Sequence, residues 1–379
     1  MIAFVQPFSI AGKAGGSRIL RTLVDEPQQE WVSICTGVGR PENVGDKEVW
    51  IPARPIVRPI DQFVRLQRLI TSNLELMYGG SLERRLVEYC TKANVTAIHA
   101  IPHGIDFWYA FKAARKMGVK YYLNVHDELF YNLNGVVYLP YAMKRLKQVW
   151  AEADEVFVIS EAMGKEYSRR YGHRDYVVVT DGLTQVAPSP AQRRPGRLRV
   201  YMMGSAHISY KENFQVLLEG LDKIKREHPD LEVTLTMRGG FPFRNHSETE
   251  VTELPWGTQK DVENDLQHAD VLYLPLPFPE KFAPLARFSL ATKLVTYLGT
   301  GLPILYHGPA YAAAAALLAE HDAALLVDQN DRDLLVDTLL HAASNSQSIV
   351  VNALELARTQ FMVDDQRRKF WSKIAVPSV

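Results

Sequence analysis

"FSLATKLVTYLGTGLPILY", residues 288–306, decides how this chain is read. Ser289 is a candidate cap for a helix running through Tyr297, and Leu290, Leu294 and Leu298 form one apolar stripe suited to a core. Gly299 and Gly301 stop the helix, and Pro303 leads into the strand "ILY". A helix delivered straight into a short apolar strand is one half of a β/α alternation. Lys293 interrupts the apolar region one turn in, with Ser289, Thr292 and Thr296 at the helix start and on its polar side. These residues form either a ligand site or an ordinary solvated face, and the ligand reading is carried forward.

The alternation extends both ways. Upstream, β-branched runs predict strands at 2–8, 31–36, 95–101, 119–125, 155–160 and 176–180. Between them lie helical patterns such as "DFWYAFKAARKMG", where Phe107, Ala110, Phe111 and Ala114 share one face and Gly118 is the stop. The region 56–90 reads as mainly helical. The segment 185–197, "QVAPSPAQRRPGR", has no period and reads as a linker. Beyond it, strands are predicted at 198–204, 231–237, 270–276, 303–306 and 323–327, and helices at 211–228 and near 260–268. Apolar strands separated by helices imply parallel sheets covered on both faces. The expected fold is α/β, with two doubly wound Rossmann-like domains facing across a cleft.

Composition narrows the function. Lys plus Arg and Asp plus Glu each number 43. A dedicated nucleic-acid binder needs excess positive charge, so that class is set aside. Cys35 and Cys90 are the only cysteines, too few for a disulfide framework and not spaced for zinc, which points to a reducing, cytoplasmic setting. "MIAFVQPFSIAGKAGG" reads as a first buried strand rather than a leader, and no apolar run approaches the roughly 20 residues that span a bilayer. A peripheral membrane contact is a further expectation. It rests on Arg58, Arg65, Arg68, Arg84 and Arg85 among apolar residues, and on Lys144, Arg145 and Lys147 in 138–150. The alternative is a solvated face.

Ligands in doubly wound folds sit beyond the carboxyl ends of the strands. After the first strand, Gly12, Gly15 and Gly16 precede an apolar helix, a tight turn or a place where backbone N–H groups meet an anion. His126 and Asp127 end another strand, and His103 a third. An imidazole there can hydrogen-bond a sugar hydroxyl or phosphate. Ser160 reads as an N-cap. In the second half, Gly204 ends a strand and Lys211 opens a helix, where a cation disfavours the dipole unless an anion is near. Gly239 and Gly240 follow the next strand, and Trp256 stands in a loop, either packing or stacking on a base.

These residues resemble the retaining GT-B glycosyltransferases of family 4-like type (glycosyl transferases group 1), which include sucrose synthases and bacterial mannosyl- and hexosyltransferases. The resemblance covers nearly the whole chain. In the first half it rests on layout: Gly15-Gly16, "NVHDE", "VFVISEAMGKEY" and "VVVTDGLT". In the second, "GSAHISYKENFQVLLEGL" is similar to the family's Gly-Arg loop and donor-phosphate lysine, with Ser205 replacing the arginine. "SLATKLVTYLGTGLPIL" resembles Ser-x-Pro-x-Lys-Leu-x-Glu-Tyr-x-x-x-Gly-x-Pro, with Ala291 at the proline. The family's two motif glutamates fall at Phe288 and Thr296, so both are absent.

The resemblance implies an acceptor domain at 1–187, a nucleotide-sugar domain at 188–357, and a C-terminal helix within 358–379 crossing back to the first domain, with Phe361, Phe370 and Trp371 as anchors. It implies transfer of a hexose-type sugar from a UDP- or GDP-sugar to a glycan or lipid-linked acceptor, with retention and no obligatory metal or other cofactor. His126 is the candidate catalytic residue. Donor contacts are expected from Gly15, Gly16, Gly204, Ser205, Lys211, Gly240, Trp256, Ser289, Thr292, Lys293 and Thr296, and acceptor contacts from His103 and Asp127. Two rival readings are a GT-B nucleotide-sugar epimerase, which needs no acceptor, and a non-catalytic sugar-nucleotide binder, which the missing glutamates favour.

Overall fold

The computed structural model describes residues 1–13, 15–41, 46–57, 72–133, 135–192, 194–204, 208–239 and 247–374. The chain divides into two compact units, Met1–Asp181 with Val363–Val379, and Gly182–Met362. Each is built on one parallel sheet.

The first sheet has the order β3-β2-β1-β4-β5-β6-β7. Its strands are β1 (Ile2–Gln6), β2 (Trp31–Cys35), β3 (Glu48–Trp50), β4 (Ala97–Ala100), β5 (Lys120–Val125), β6 (Glu155–Val158) and β7 (Val177–Val178). The helices are α1 (Gly15–Val24), α2 (Ser72–Lys92), α3 (Asp106–Met117), α4 (Leu129–Asn132), α5 (Leu139–Glu152) and α6 (Glu161–Tyr171). Every residue of β1 is buried, so helices cover both faces and the run is apolar rather than alternating. Helix ends follow local chemistry. Gly118 closes α3 in the left-handed region (φ 67°), and the Ser160 hydroxyl accepts from Met163 N–H (3.1 Å) to cap α6.

The second sheet has the order β10-β9-β8-β11-β12-β13. It comprises β8 (Arg197–Met203), β9 (Glu232–Arg238), β10 (Glu250–Leu254), β11 (Val271–Pro275), β12 (Ile304–His307) and β13 (Leu325–Val327). Its helices are α7 (Lys211–Glu227), α8 (Gln259–Leu266), α9 (Ala283–Phe288), α10 (Thr292–Leu298), α11 (Ala313–Glu320), α12 (Arg332–Ser344) and α13 (Gln347–Gln360). Strand alternation splits the core into two layers. Leu272, Leu274, Ile304 and Tyr306 meet Leu294 and Leu298 of α10 on one face. Val271, Tyr273 and Leu305 meet Phe214, Leu217 and Leu221 of α7 on the other. The Pro-rich segment read as a linker is tied to this unit: Ala187 N–H donates to Gly299 O and Ala191 N–H to Gly301 O, both at 2.8 Å.

The terminal helix α14 (Val363–Ile374) belongs to the first unit. Phe370 lies between Phe4, His99 and Phe157, and Trp371 Nε1 donates to Leu23 O of α1 (2.9 Å). Arg367 Nε donates to Thr22 O (2.8 Å) and Gln366 accepts from Thr180 N–H (3.0 Å).

Several expectations need correction. The helix expected from Ser289 starts three residues later, at Thr292, and a separate helix, α9, ends just before Ser289. Ser289 ends α9 in extended backbone (ψ 142°), and the N-cap of α10 is Ala291, with no side-chain cap. The C-terminal helix expected within 358–379 begins only at Val363, after a break at Phe361 and Met362, and Phe361 packs in the second unit's core rather than anchoring the return. β3 and β10 were not predicted: one has three residues, and the other, "EVTEL", is a largely exposed edge strand without an apolar run.

No helix among the described residues is long and apolar enough to cross a membrane. The α5 helix turns Ala142, Leu146, Val149 and Trp150 into the core, so its apolar side is already occupied. Arg145 stacks over Trp108 (4.6 Å) and Tyr141 (4.8 Å). Of the other basic stretch, residues 58–71 lie outside the described residues.

Trp371 is fully buried. Trp371→Ala is expected to cost the first unit about 3–5 kcal/mol. Hydrogen exchange read by mass spectrometry should show faster exchange in β1 and α1 and no change in β8 to β12. Equal exchange in both proteins would show that α14 adds nothing to this core.

Candidate functional site

In each sheet the order reverses once, between β1 and β4 and between β8 and β11. Crevices beyond the strand ends open at such reversals. Among the expected residues, Gly15, Gly16 and His103 follow the first pair, and Gly204 and Lys293 follow the second.

In the first unit, Gly16, His103, His126 and Asp127 come together. A Cβ on Gly16 would sit 2.9 Å from Phe8 Cζ and 3.5 Å from His126 Nδ1, so any side chain would displace the ring. The Phe8 and His103 rings lie 5.3 Å apart, and those of His103 and His126 lie 6.3 Å apart. His103 Nε2 is 3.2 Å from Asp127 Oδ2. His126 is 4% exposed, and neither ring nitrogen has a hydrogen-bond partner among the described residues. Burial first, and the neighbouring His103 second, push its pKa down to about 3. It is therefore a neutral imidazole at pH 7, suited to hydrogen bonding rather than to ion pairing. Arg18, in the first turn of α1, is paired with Asp181 (2.7 Å).

In the second unit, the two candidate lysines part company. Lys211 is exposed at the start of α7. Lys293 is 9% exposed and sits beneath the end of β8, where a Cβ on Gly204 would be 3.7 Å from its Cε. Its ammonium lies 5.1 Å from the Tyr210 ring centroid and has no hydrogen-bond partner among the described residues. Burial lowers its pKa to about 8. Thr292 and Thr296 are half-buried on α10, and Thr296 Oγ1 approaches Thr292 O at 3.5 Å. Phe288, at one motif-glutamate position, is buried. Trp256 is 47% exposed. Its loop is held from beneath by Arg238, which donates to Pro255 O (3.1 Å) and is paired with Asp265. Ser205 and Gly240 lie outside the described residues. Among the described residues, no three His, Cys, Asp or Glu side chains gather as a metal site.

Sequence reasoning missed residues that work through distant partners. Tyr210 was passed over because only its contact with Lys293 distinguishes it. At the end of β12, His307 Nδ1 meets Tyr273 OH (2.8 Å), and Asn213 Nδ2 donates to His307 O and Leu276 O (both 2.9 Å). These bonds pin the first turn of α7 to β11 and β12. The one signal in "ILYHG" was a polar residue ending an apolar strand.

No family model matches the sequence, and a search of curated proteins finds no relative. Solved structures do match. HepE of Anabaena, in complex with UDP and glucose, aligns with a TM-score of 0.68 at 13% identity over 99% of both chains. The α,α-trehalose 6-phosphate synthase of Burkholderia multivorans aligns with a TM-score of 0.65 at 15% identity over 98% of both. A TarM variant of S. aureus, in complex with UDP among other ligands, gives 0.58 at 10% identity over 78% of this chain. The chain spans only 58% and 59% of two TarM chains it matches. At these identities the likeness carries the fold, which is GT-B.

The buried ammonium makes a signed prediction. Its folded-state pKa of about 8 lies below the ordinary 10.5, so as pH falls through that window the unfolded chain takes the proton first. Stability is complete above 10.5 and lost on the way down to 8. Lys293→Met, which keeps the length without the charge, should be more stable than the parent at pH 7 by about 1–3 kcal/mol. The gain should vanish as pH approaches 10.5. Denaturant unfolding of both proteins at several pH values measures it, and a variant less stable at pH 7 contradicts it.

Proposed function

We propose that the chain is a nucleotide-sugar-dependent glycosyltransferase. It moves a hexose-type sugar from a UDP- or GDP-sugar to a glycan or lipid-linked acceptor, with retention. The second unit supplies most of the donor contacts, and the first supplies the acceptor contacts and the glycines Gly15 and Gly16 for the donor. The observation that carries the reading is Lys293: a buried ammonium without a hydrogen-bond partner among the described residues, at the strand ends of a GT-B unit. Such a charge is costly unless an anion joins it. A leaving diphosphate is that anion, and a fixed cation stabilises the charge that develops as the glycosidic bond breaks. HepE and TarM, solved with UDP on the same fold, support this choice.

Other roles follow in the same reading. His126, neutral at pH 7, serves the transfer step by hydrogen-bonding the donor sugar or the acceptor. Gly15 and Gly16 offer backbone N–H groups to the donor. Trp256 stacks on the base, and Thr296 gives one oxygen to the ribose where the family's motif has a carboxylate. His103 and Asp127 meet the acceptor. A peripheral contact with anionic membrane rests on the basic stretch 58–85, and cosedimentation with anionic vesicles at low salt tests it.

A thermal-shift screen of UDP- and GDP-sugars, followed by nucleotide release with and without acceptors, tests the function. Lys293→Met is expected to weaken nucleotide-diphosphate binding by about ten- to a hundredfold, since a charge-assisted hydrogen bond is worth about 1.5–3 kcal/mol. Parent affinity should fall as pH rises through about 8, because the protonated ammonium is the binding form. Conversion of a sugar nucleotide without an acceptor would identify an epimerase. Binding without turnover would identify a non-catalytic member. Unchanged affinity in folded Lys293→Met would remove the lysine's role.

A further inference from the structure

We propose that Glu48 is a positioning residue for the subsite at Gly16 and His126; the inference rests on the functional reading above. Glu48 begins β3, two strands away from β1, and is 5% exposed. Its carboxylate leaves its own strand and reaches the turn after β1. Oε2 accepts from Ser9 Oγ (2.5 Å), and Oε1 accepts from Ile10 N–H (2.7 Å) and Ser33 Oγ (3.0 Å). Gln6 Nε2 donates in turn to Ser33 Oγ (2.7 Å), so a row of bonds runs from β1 through β2 to the carboxylate.

The turn is held from the other side by a cation. Arg21 of α1 donates to Ile10 O (2.6 Å) and Gly12 O (2.5 Å). Ser9 then passes the constraint on. Its carbonyl accepts from Gly12 N–H (3.0 Å) and from Ser17 Oγ in the first turn of α1 (2.8 Å). Ser17 is the neighbour of Gly16, the residue that lies against Phe8 and His126. Glu48 sets Ser9 and Ile10, Ser9 sets Ser17, and Ser17 sets how closely Gly16 approaches the ring. A buried carboxylate spent on loop backbone, where an apolar side chain would suffice for the sheet edge, serves geometry in that loop. Glu48 touches no reacting atom in this account.

The test uses the full chain with Glu48→Ala and Glu48→Gln, the latter keeping an Oε1 acceptor for Ile10 and Ser33. Amide exchange over residues 9–18 and calorimetric titration with UDP and with UDP-glucose are measured. In Glu48→Ala, the Ile10 amide should exchange about tenfold faster or more, as expected for a lost bond to a charged acceptor. UDP-glucose affinity should fall by about tenfold while UDP affinity falls much less, since the subsite serves the sugar. Glu48→Gln should restore most of both. The proposal is overturned by unchanged exchange at Ile10 in Glu48→Ala, by no rescue in Glu48→Gln, or by equal losses for UDP and UDP-glucose, the pattern of general destabilisation. Failure of the functional reading looks different: the parent chain then binds neither UDP and UDP-glucose nor GDP and GDP-mannose, and the inference falls with it. A parent that binds only the GDP pair is titrated with that pair instead, with the same outcomes expected.

Discussion

Every strand in both sheets runs parallel to its neighbours. A parallel pair cannot be closed by a hairpin, so each strand must be followed by a crossover, here mostly helical. All carboxyl ends of a sheet therefore lie on one edge, with the helix starts beside them. That constraint places Gly16, His103 and His126 together in the first unit, and Gly204 and Lys293 together in the second, although 23 to 110 residues separate members of each group along the chain. It also leaves both faces of each sheet apolar, which explains why strands such as "IAFVQ" and "VLYLP" are buried throughout.

The two groups share an energetic signature. His126 and Lys293 are buried polar side chains whose ring nitrogens and ammonium lack hydrogen-bond partners among the described residues. Folding alone does not favour such groups, because each loses hydration without a replacement. Nearby buried polar groups show what satisfaction looks like. Glu48 holds three bonds to the Ser9 turn and Ser33, and Asn213 donates twice to strand-end carbonyls. Lack of a partner does not by itself mark a ligand site, since both ring nitrogens of His99 and both amide atoms of Asn124, within the first sheet, also have none among the described residues. His126 and Lys293 differ from them in standing beyond the strand ends.

Some of this could be read in the sequence for identifiable reasons. Lys293 stood out because a cation among Leu, Val and Tyr breaks a local pattern. Ser160 was legible as a cap because capping is a local bond over three residues. Ser289 was misread on the same logic: a serine ahead of an apolar stripe looks like a cap, yet α9 runs up to Phe288 and leaves Ser289 in extended backbone. Glu48 and Tyr210 carried no local signal at all. β3 is three residues long, and the partners of Glu48 in the turn lie 38 and 39 residues away.

By itself the sequence determined the succession of strands and helices, and hence two parallel α/β sheets, because apolar period and turn residues act over a few positions. Strand order was decided only in the tertiary structure, since pairing depends on which crossover buries the most apolar surface. The same holds for the break at Phe361–Met362, which sends Phe361 into one core and Phe370 and Trp371 into the other. It holds most of all for Lys293. The chain shows a charge beside leucines, but whether that charge is solvated or buried depends on Gly204 and Tyr210, more than 80 residues earlier, closing over it.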